Sequence, residues 1–450
     1  MAGTVAEPYA RRSTPLYMVP IIALGFATTA LTWTIFNIAI PVYLQDVYQI
    51  SLGLTGFIMT WDNIIAFFLQ PYIGSLSDRT RTRFGRRMPY IIVGVILGAG
   101  FFYLIPYAKE FPLYVFLGTI VLFNLAMALY RSPSVSLMPD LVESRHRSMG
   151  NGIVNLMGGI FGAFALFVGG GLFKQGRDVA AFGLMSIAML ISLAVLVLAI
   201  REPMDFKVDD EDGATAFDNL KKQLRDMWIA QDKSMLFMLL AIFSWFMAWN
   251  AIEAFYSTYV WKVYLVKEFP NLSASELSSR AIGEAGQILF VFPVVFVIFT
   301  VVGGIVGTKI GRIATMRIGL LMFLVIISSA LFVQVDSWFG FPIGWRTSFQ
   351  ILFSIAAMGW GLINVNSIVV VWEHANDNGS GTGVYYAFSS LAAILGPTIS
   401  GFLMDITPEF LFYFSLASLV MALVFLFNVK SGEAGDGKKN LGNAMLELAD

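Results

Sequence analysis

Gly74-Ser75-Leu76-Ser77-Asp78-Arg79-Thr80-Arg81-Thr82-Arg83-Phe84-Gly85-Arg86-Arg87 sets the direction of the whole chain. Five arginines and one aspartate lie here between two long apolar runs. Arginine is costly in hydrocarbon, so the stretch stays in water or among headgroups. Loops rich in Lys and Arg remain on the cytoplasmic side, which orients every other segment. Charge alone would make this stretch a topology anchor. The spacing of Gly74, Asp78 and Arg79, followed by Gly85-Arg86-Arg87, demands more than charge.

Composition points to a membrane protein. Hydrophobic residues make up 57% of the 450 and charged residues 13%, against about 25% charged in soluble domains. The net charge of −1 gives no basic surface for nucleic acid. With no cysteine, disulfides and thiol chemistry are excluded. His146 and His374 both fall in expected loops. The first run is too long for a cleavable signal, and an anchor is expected instead.

Twelve runs are long enough for a helix to cross a bilayer, which takes about 20 residues. They lie near 16–44, 52–77, 88–108, 111–139, 149–173, 179–200, 234–264, 284–307, 315–335, 343–372, 380–403 and 407–428. Continuous runs of this length favour helices over strands. With the N-terminus inside, the outer loops hold Lys109, Lys174, Arg177, Lys262, Lys267, Arg280 and Arg346. The rest of the 29 Lys and Arg, Arg131 apart, fall inside. Both termini are therefore expected in the cytoplasm. The expected division is 1–200, a first six-helix bundle; 201–233, a linker; 234–430, a second bundle; and 431–450, a polar tail. Within the linker Asp209–Asp212 is water-bound. Phe217, Leu220, Leu224, Met227 and Trp228 recur at helical spacing with Lys221, Lys222 and Arg225, which reads as an amphipathic surface helix.

The halves repeat. Gly150, Gly152, Ile153 and Gly170 correspond to Gly381, Gly383, Val384 and Gly401. Gly74 and Asp78 correspond to Gly303 and Gly307, and Gly311-Arg312 then echoes the arginine loop. Trp33 and Asn37 correspond to Trp249 and Glu253. Two parallel six-helix repeats are a known transporter plan. Gly152, Gly158, Gly159 and Gly162 allow close helix packing, and the same smooth face would let one bundle slide on another.

Polar side chains at membrane depth carry the functional signal, since each is costly unless paired or wet. Counting 1.5 Å per residue, Asp62 lies about 24 Å, Arg131 about 13–14 Å and Glu253 about 28 Å from the cytoplasmic edge. At that height Glu253 could simply be wet. Asn124 shares a face with Arg131, Trp249 with Glu253 and Tyr256, Trp360 with Asn364, and Trp33 with Asn37. Asn250 adjoins Trp249. Aromatic faces with amide and charged hydrogen-bonders suit a sugar, whose C–H faces stack and whose hydroxyls need partners.

Gly74-x-x-x-Asp78-Arg79…Gly85-Arg86-Arg87 resembles the loop between the second and third helices of major facilitator transporters. The longer form, Gln70-Pro71-Tyr72-Ile73-Gly74 through Arg81, then Gly85-Arg86-Arg87 and Pro89-Tyr90, is similar to a narrower branch. So is Pro133 to Asp140-Leu141. That branch holds the sucrose/maltose proton symporters and the related glycoside–pentoside–hexuronide:cation symporters. The resemblance implies an all-α membrane fold of twelve transmembrane helices in two pseudo-symmetric six-helix bundles. It implies a secondary transporter rather than an enzyme, coupling a proton to a sugar such as sucrose or maltose, as a monomer in the plasma membrane and without a cofactor.

Asp62, Arg131 and Glu253 are the expected coupling groups. Trp33, Asn37, Asn124, Arg131, Trp249, Asn250, Tyr256, Trp360 and Asn364 are the expected sugar contacts. Gly74, Asp78, Arg79, Arg83, Gly85, Arg86 and Asp140 form the expected cytoplasmic latch. There Asp78 faces the start of the eleventh helix near Gly379–Thr382, and Asp140 pairs with Arg79, Arg83 or Arg86. A sodium-coupled relative is the alternative, but it should carry paired carboxylates in the second run, where Ala66 and Gln70 stand. A non-transporting sensor is a third reading. An intramembrane enzyme lacks a nucleophile–base or metal-ligand set, and a pump lacks a Gly-x-x-x-x-Gly-Lys-[Ser/Thr] loop.

Overall fold

The structure, a computed structural model, describes residues 16–142, 147–202, 225, 227, 229, 231–374 and 378–432. His146, most of the linker (Asp209–Asp212 included) and residues 433–450 lie outside them. Of the expected surface helix, residues 225, 227 and 229 are described and helical, with Met227 buried and Ile229 exposed.

Among the described residues, twelve helices are long and apolar enough to cross a membrane. They are α1 Val19–Asp46, α2 Leu52–Arg79, α3 Met88–Ala108, α4 Leu113–Leu141, α5 Met149–Lys174, α6 Asp178–Ala199, α7 Ser234–Glu268, α8 Ala274–Ile310, α9 Arg312–Phe332, α10 Trp345–His374, α11 Gly381–Met404 and α12 Phe410–Phe427. Helices satisfy every backbone group internally, as hydrocarbon requires.

One boundary is a correction. The eighth run was expected near 284, but α8 begins at Ala274 behind a capping box, with Ser273 and Glu276 bonding each other's backbone N–H. Its first three turns are polar, so hydropathy alone missed them. Arg280, expected in a loop, sits on this helix, and His374 closes α10 rather than lying in a loop.

Each bundle is keyed by aromatic rings. In the first, Phe36 stacks on Phe123, and Phe102 touches Phe123 and Phe182, joining α1, α3, α4 and α6. In the second, Tyr256, Tyr259, Phe349 and Phe412 join α7, α10 and α12.

The bundles meet along their outer halves. Gly170 on α5 and Gly401 on α11, matched by the repeat, occupy equivalent contacts. A Cβ at Gly170 would stand 2.9 Å from the Gly283 carbonyl oxygen of α8, and one at Gly401 2.3 Å from the Leu52 carbonyl oxygen of α2. Only glycine permits either approach. A Cβ at Gly159 would meet Val297 of α8 at 2.6 Å, yet at Gly152, two turns earlier on the same face, it would meet nothing described within 4 Å. Close packing was expected at Gly152; a side chain there would instead enter open space.

Candidate functional site

The arginine loop folds into a compact charge network. Asp78 at the end of α2 lies 2.5 Å from Arg87 Nη2 and 3.6 Å from Arg86 Nη1. Asp140 at the end of α4 lies 2.7 Å from Arg86 Nη2 and accepts from Arg87 Nε at 3.0 Å. Arg87 Nη1 also donates to Ser77 Oγ and, at 3.2 Å, to the Gly74 carbonyl. Of the three arginines expected to reach Asp140, Arg86 does so. Arg79 is exposed, and Arg83 lies over the Phe84 ring at 4.8 Å. The reason is the turn: Gly85 takes φ +104°, swinging Arg86 and Arg87 inward while the arginines before it face water. Among the described residues the partners of Asp78 are these two arginines of its own bundle; residues 375–377, just before the expected partner at Gly379–Thr382, lie outside them.

Two members of this network went unread. Arg87, noticed only as part of the motif, is buried at its centre. Glu202, just past α6, accepts from the Arg87 N–H at 2.8 Å and the Met88 N–H at 3.2 Å, and so caps the start of α3. Its carboxyl is held above the usual carboxylate range because burial outweighs the N–H donors around it. A Cβ at Gly85 would stand 2.4 Å from Glu202. The second half keeps a thinner copy, with Arg312 of α9 donating to Glu373 of α10 at 3.0 Å.

Three charged side chains, Asp62, Arg131 and Glu253, lie at membrane depth. Asp62 sits just past the turn residue Thr60, in the first turn of the inner part of α2. Its carboxylate accepts from Asn63 Nδ2 at 2.9 Å. Arg131 forms no ion pair within 4 Å of it among the described residues, in keeping with the separation inferred from residue counting. Glu253, expected near the outer interface, is not simply wet. Its Oε1 accepts from Asn37 Nδ2 at 3.0 Å. Asn37 and Glu253 are the repeat-matched pair, so α1 and α7 touch at equivalent positions on the axis between the halves.

The other expected sugar contacts divide. Trp33 is half-buried with its Nε1 unpartnered, edge-on to Phe36 and Phe123. Asn124 is buried with an unpartnered Oδ1. Trp249 stacks on Phe292 at 3.9 Å, and Asn364 is half-buried. Two rings are corrected, and Asn250 uses one N–H on its own helix. Tyr256 is fully enclosed between Phe349 and Phe353 and belongs to the packing of α7 on α10. Trp360 is 5% exposed and wedged among Phe246, Trp249 and Phe323. Asn250 donates to the Phe246 carbonyl of its own helix at 2.7 Å. Shared helical face did not distinguish a ring that lines a cavity from one that fills a core. Asn366, which was passed over, ties α10 to the Gly303 carbonyl of α8 at 3.0 Å.

Twelve spans in two bundles around buried charges define a membrane transporter. The chain belongs to the Major Facilitator Superfamily, whose sequence model matches residues 22–279 and 264–444. It is 32% identical to an uncharacterized symporter of Synechocystis over 26% of this chain and 23% of that protein. It is 22% identical to the general alpha-glucoside permease of Schizosaccharomyces pombe over 48% of this chain and 44% of that protein. It is 30% identical to the human proton-associated sugar transporter A over 24% of this chain and 16% of that protein. The matched stretches thus span less than half of each relative. The fold matches the crystal structure of the nucleoside transporter NupG with TM-score 0.68 and 14% identity, over 93% of this chain and all of that one.

Proposed function

We propose that this protein is a proton-coupled symporter of a small sugar, a glucoside or disaccharide such as sucrose or maltose. The observation that carries the reading is Asn37 of the first bundle donating to Glu253 of the second at 3.0 Å, with Asp62 and Arg131 also at membrane depth. A carboxyl at membrane depth tends to hold a proton, and a nearby cation favours its release. Asp62 carries the coupling proton, and the approach or withdrawal of Arg131 decides when it leaves. Glu253 couples the second bundle to the same event. Trp33, Asn124, Trp249 and Asn364 offer ring faces, an indole N–H and amide groups to sugar hydroxyls. The names of the alpha-glucoside permease and the proton-associated sugar transporter support the same substrate and ion.

Sodium coupling is the second reading. It is disfavoured because Ala66 and Gln70 stand where a companion carboxylate, one or two turns from Asp62, would be needed on α2. The protein acts as a monomer in the plasma membrane with both termini cytoplasmic, its bundles falling at 1–200 and 234–430 about the 201–233 linker, with a tail from 431.

Vesicle transport tests the assignment. Asp62→Asn should abolish proton-driven sugar accumulation while sugar exchange across preloaded vesicles continues. Accumulation that survives in Asp62→Asn and fails in Glu253→Gln moves the proton to Glu253. Accumulation driven by a sodium gradient alone overturns proton coupling.

A further inference from the structure

The outer mouth carries a charge cluster that the transport site does not use. Glu284 on α8 is 2% exposed and gathers three cations: Lys174 Nζ at 3.1 Å, Arg346 Nε at 3.1 Å and Arg280 Nε at 3.8 Å. Arg346 also holds Glu268 at 3.0 Å, and Glu268 accepts from Trp345 Nε1 at 3.1 Å. Four of the five charges, Glu268, Arg280, Glu284 and Arg346, belong to α7, α8 and α10 of the second bundle. Lys174 alone comes from the first, at the end of α5, and it also donates to Gln287 Oε1 of α8 at 3.0 Å. If the bundles part at the outer face, Glu284 keeps both arginines and only Lys174 leaves. No buried carboxylate is then stranded, which is what makes a buried ion pair hard to break.

The same place in the repeat does the same job with opposite charge. The offset that aligns Gly170 with Gly401 aligns Lys174 with Asp405. Asp405, at the end of α11, reaches across to α2 and accepts from the Leu52 N–H at 2.7 Å and the Gly53 N–H at 3.0 Å. There it satisfies first-turn N–H groups that have no partner within their own helix.

We infer that Lys174 and Asp405 are a matched pair of releasable outer clasps. Each is carried four residues beyond the glycine that lets its helix seat on the other bundle, and together they set how far the closed outer face is favoured. The inference rests on the two bundles rocking as a transporter's do. It is tested by accessibility rather than uptake, so its failure is distinct from failure of the sugar reading.

The chain has no cysteine, so single reporters can be placed without background. Thr55→Cys lies buried in the packed outer end of α2, and Gly152→Cys at an open position near the start of α5. Labelling rates with a polar maleimide are measured on the purified full chain. Lys174→Met and Asp405→Ala should each raise labelling of the Thr55 reporter about five- to thirtyfold, as the loss of one modest contact allows. Each should lower labelling of the Gly152 reporter, and Lys174→Arg should restore both rates. An unchanged Thr55 rate in both variants overturns the inference. So does a rise at both reporters together, which would mean that these contacts hold the fold rather than the state.

Discussion

Gly85 meets two demands that no other residue satisfies. Its φ of +104° penalises any side chain, and Glu202 occupies the space a Cβ would need. Gly176 has φ +68° with nothing described within 4 Å, which separates the two effects. Gly176→Ala should cost only the backbone term, about 1–2 kcal/mol. Gly85→Ala should add an overpacking cost of about 1–3 kcal/mol. Unfolding midpoints in detergent should fall in that order, and equal shifts would mean Glu202 gives way freely. Glu202 itself should register pH. Its folded-state pKa lies above the usual 4.5, so its contribution is full below that value and is lost as pH rises through the raised one. Compared across this window, wild type should lose thermal stability relative to Glu202→Gln as pH increases. A constant difference would place the carboxyl back in its ordinary range. Glu202 was illegible in the sequence because it caps a helix that begins 114 residues earlier, and local pattern carries no information about such a partner.

Helices were legible where hydropathy alone decides them and were misjudged where polar turns belong to a span. The twelve runs matched twelve helices because length and apolarity are what crossing a bilayer requires. The start of α8 differs from the expected one although Ser273 and Glu276 spell a capping box, since Glu276 and Arg280 interrupt the apolar pattern before the run at 284. Ser273→Ala should destabilise this end by about 1 kcal/mol, seen as faster amide exchange confined to the first turns of α8. Exchange unchanged there would mean that packing, not the cap, fixes the boundary. Deeper in the membrane Asn366 joins α10 to α8 through the Gly303 carbonyl, with a second bond to Leu362 at 2.9 Å. Asn366→Ala should cost about 0.6–1.7 kcal/mol, the range for hydrogen bonds between membrane helices, read as a lower unfolding midpoint.

Across the whole molecule, the repeat was readable because glycines at close contacts cannot drift, and Gly170 and Gly401 proved equivalent in space as in sequence. Which conformation the chain adopts was not readable, because both states use the same residues. In the arrangement seen, Asp78 is held by Arg86 and Arg87 within its own bundle. Asp78→Asn weakens a contact proposed to reach α11 only when that side closes. Labelling of a cysteine at Gly152 should therefore rise, and an unchanged rate would remove Asp78 from the latch. A reporter fused after Lys430 should be active only in its cytoplasmic form; activity outside would reverse every helix. At the centre, Asn37 meets Glu253 where the two halves are related by an axis. In a dimer of identical chains, a residue on the twofold faces its own copy. Such a dimer could set two carboxyls or two amides there, never one of each. Two halves that differ in sequence escape that limit, so the centre holds a single carboxyl already supplied with its hydrogen-bond donor.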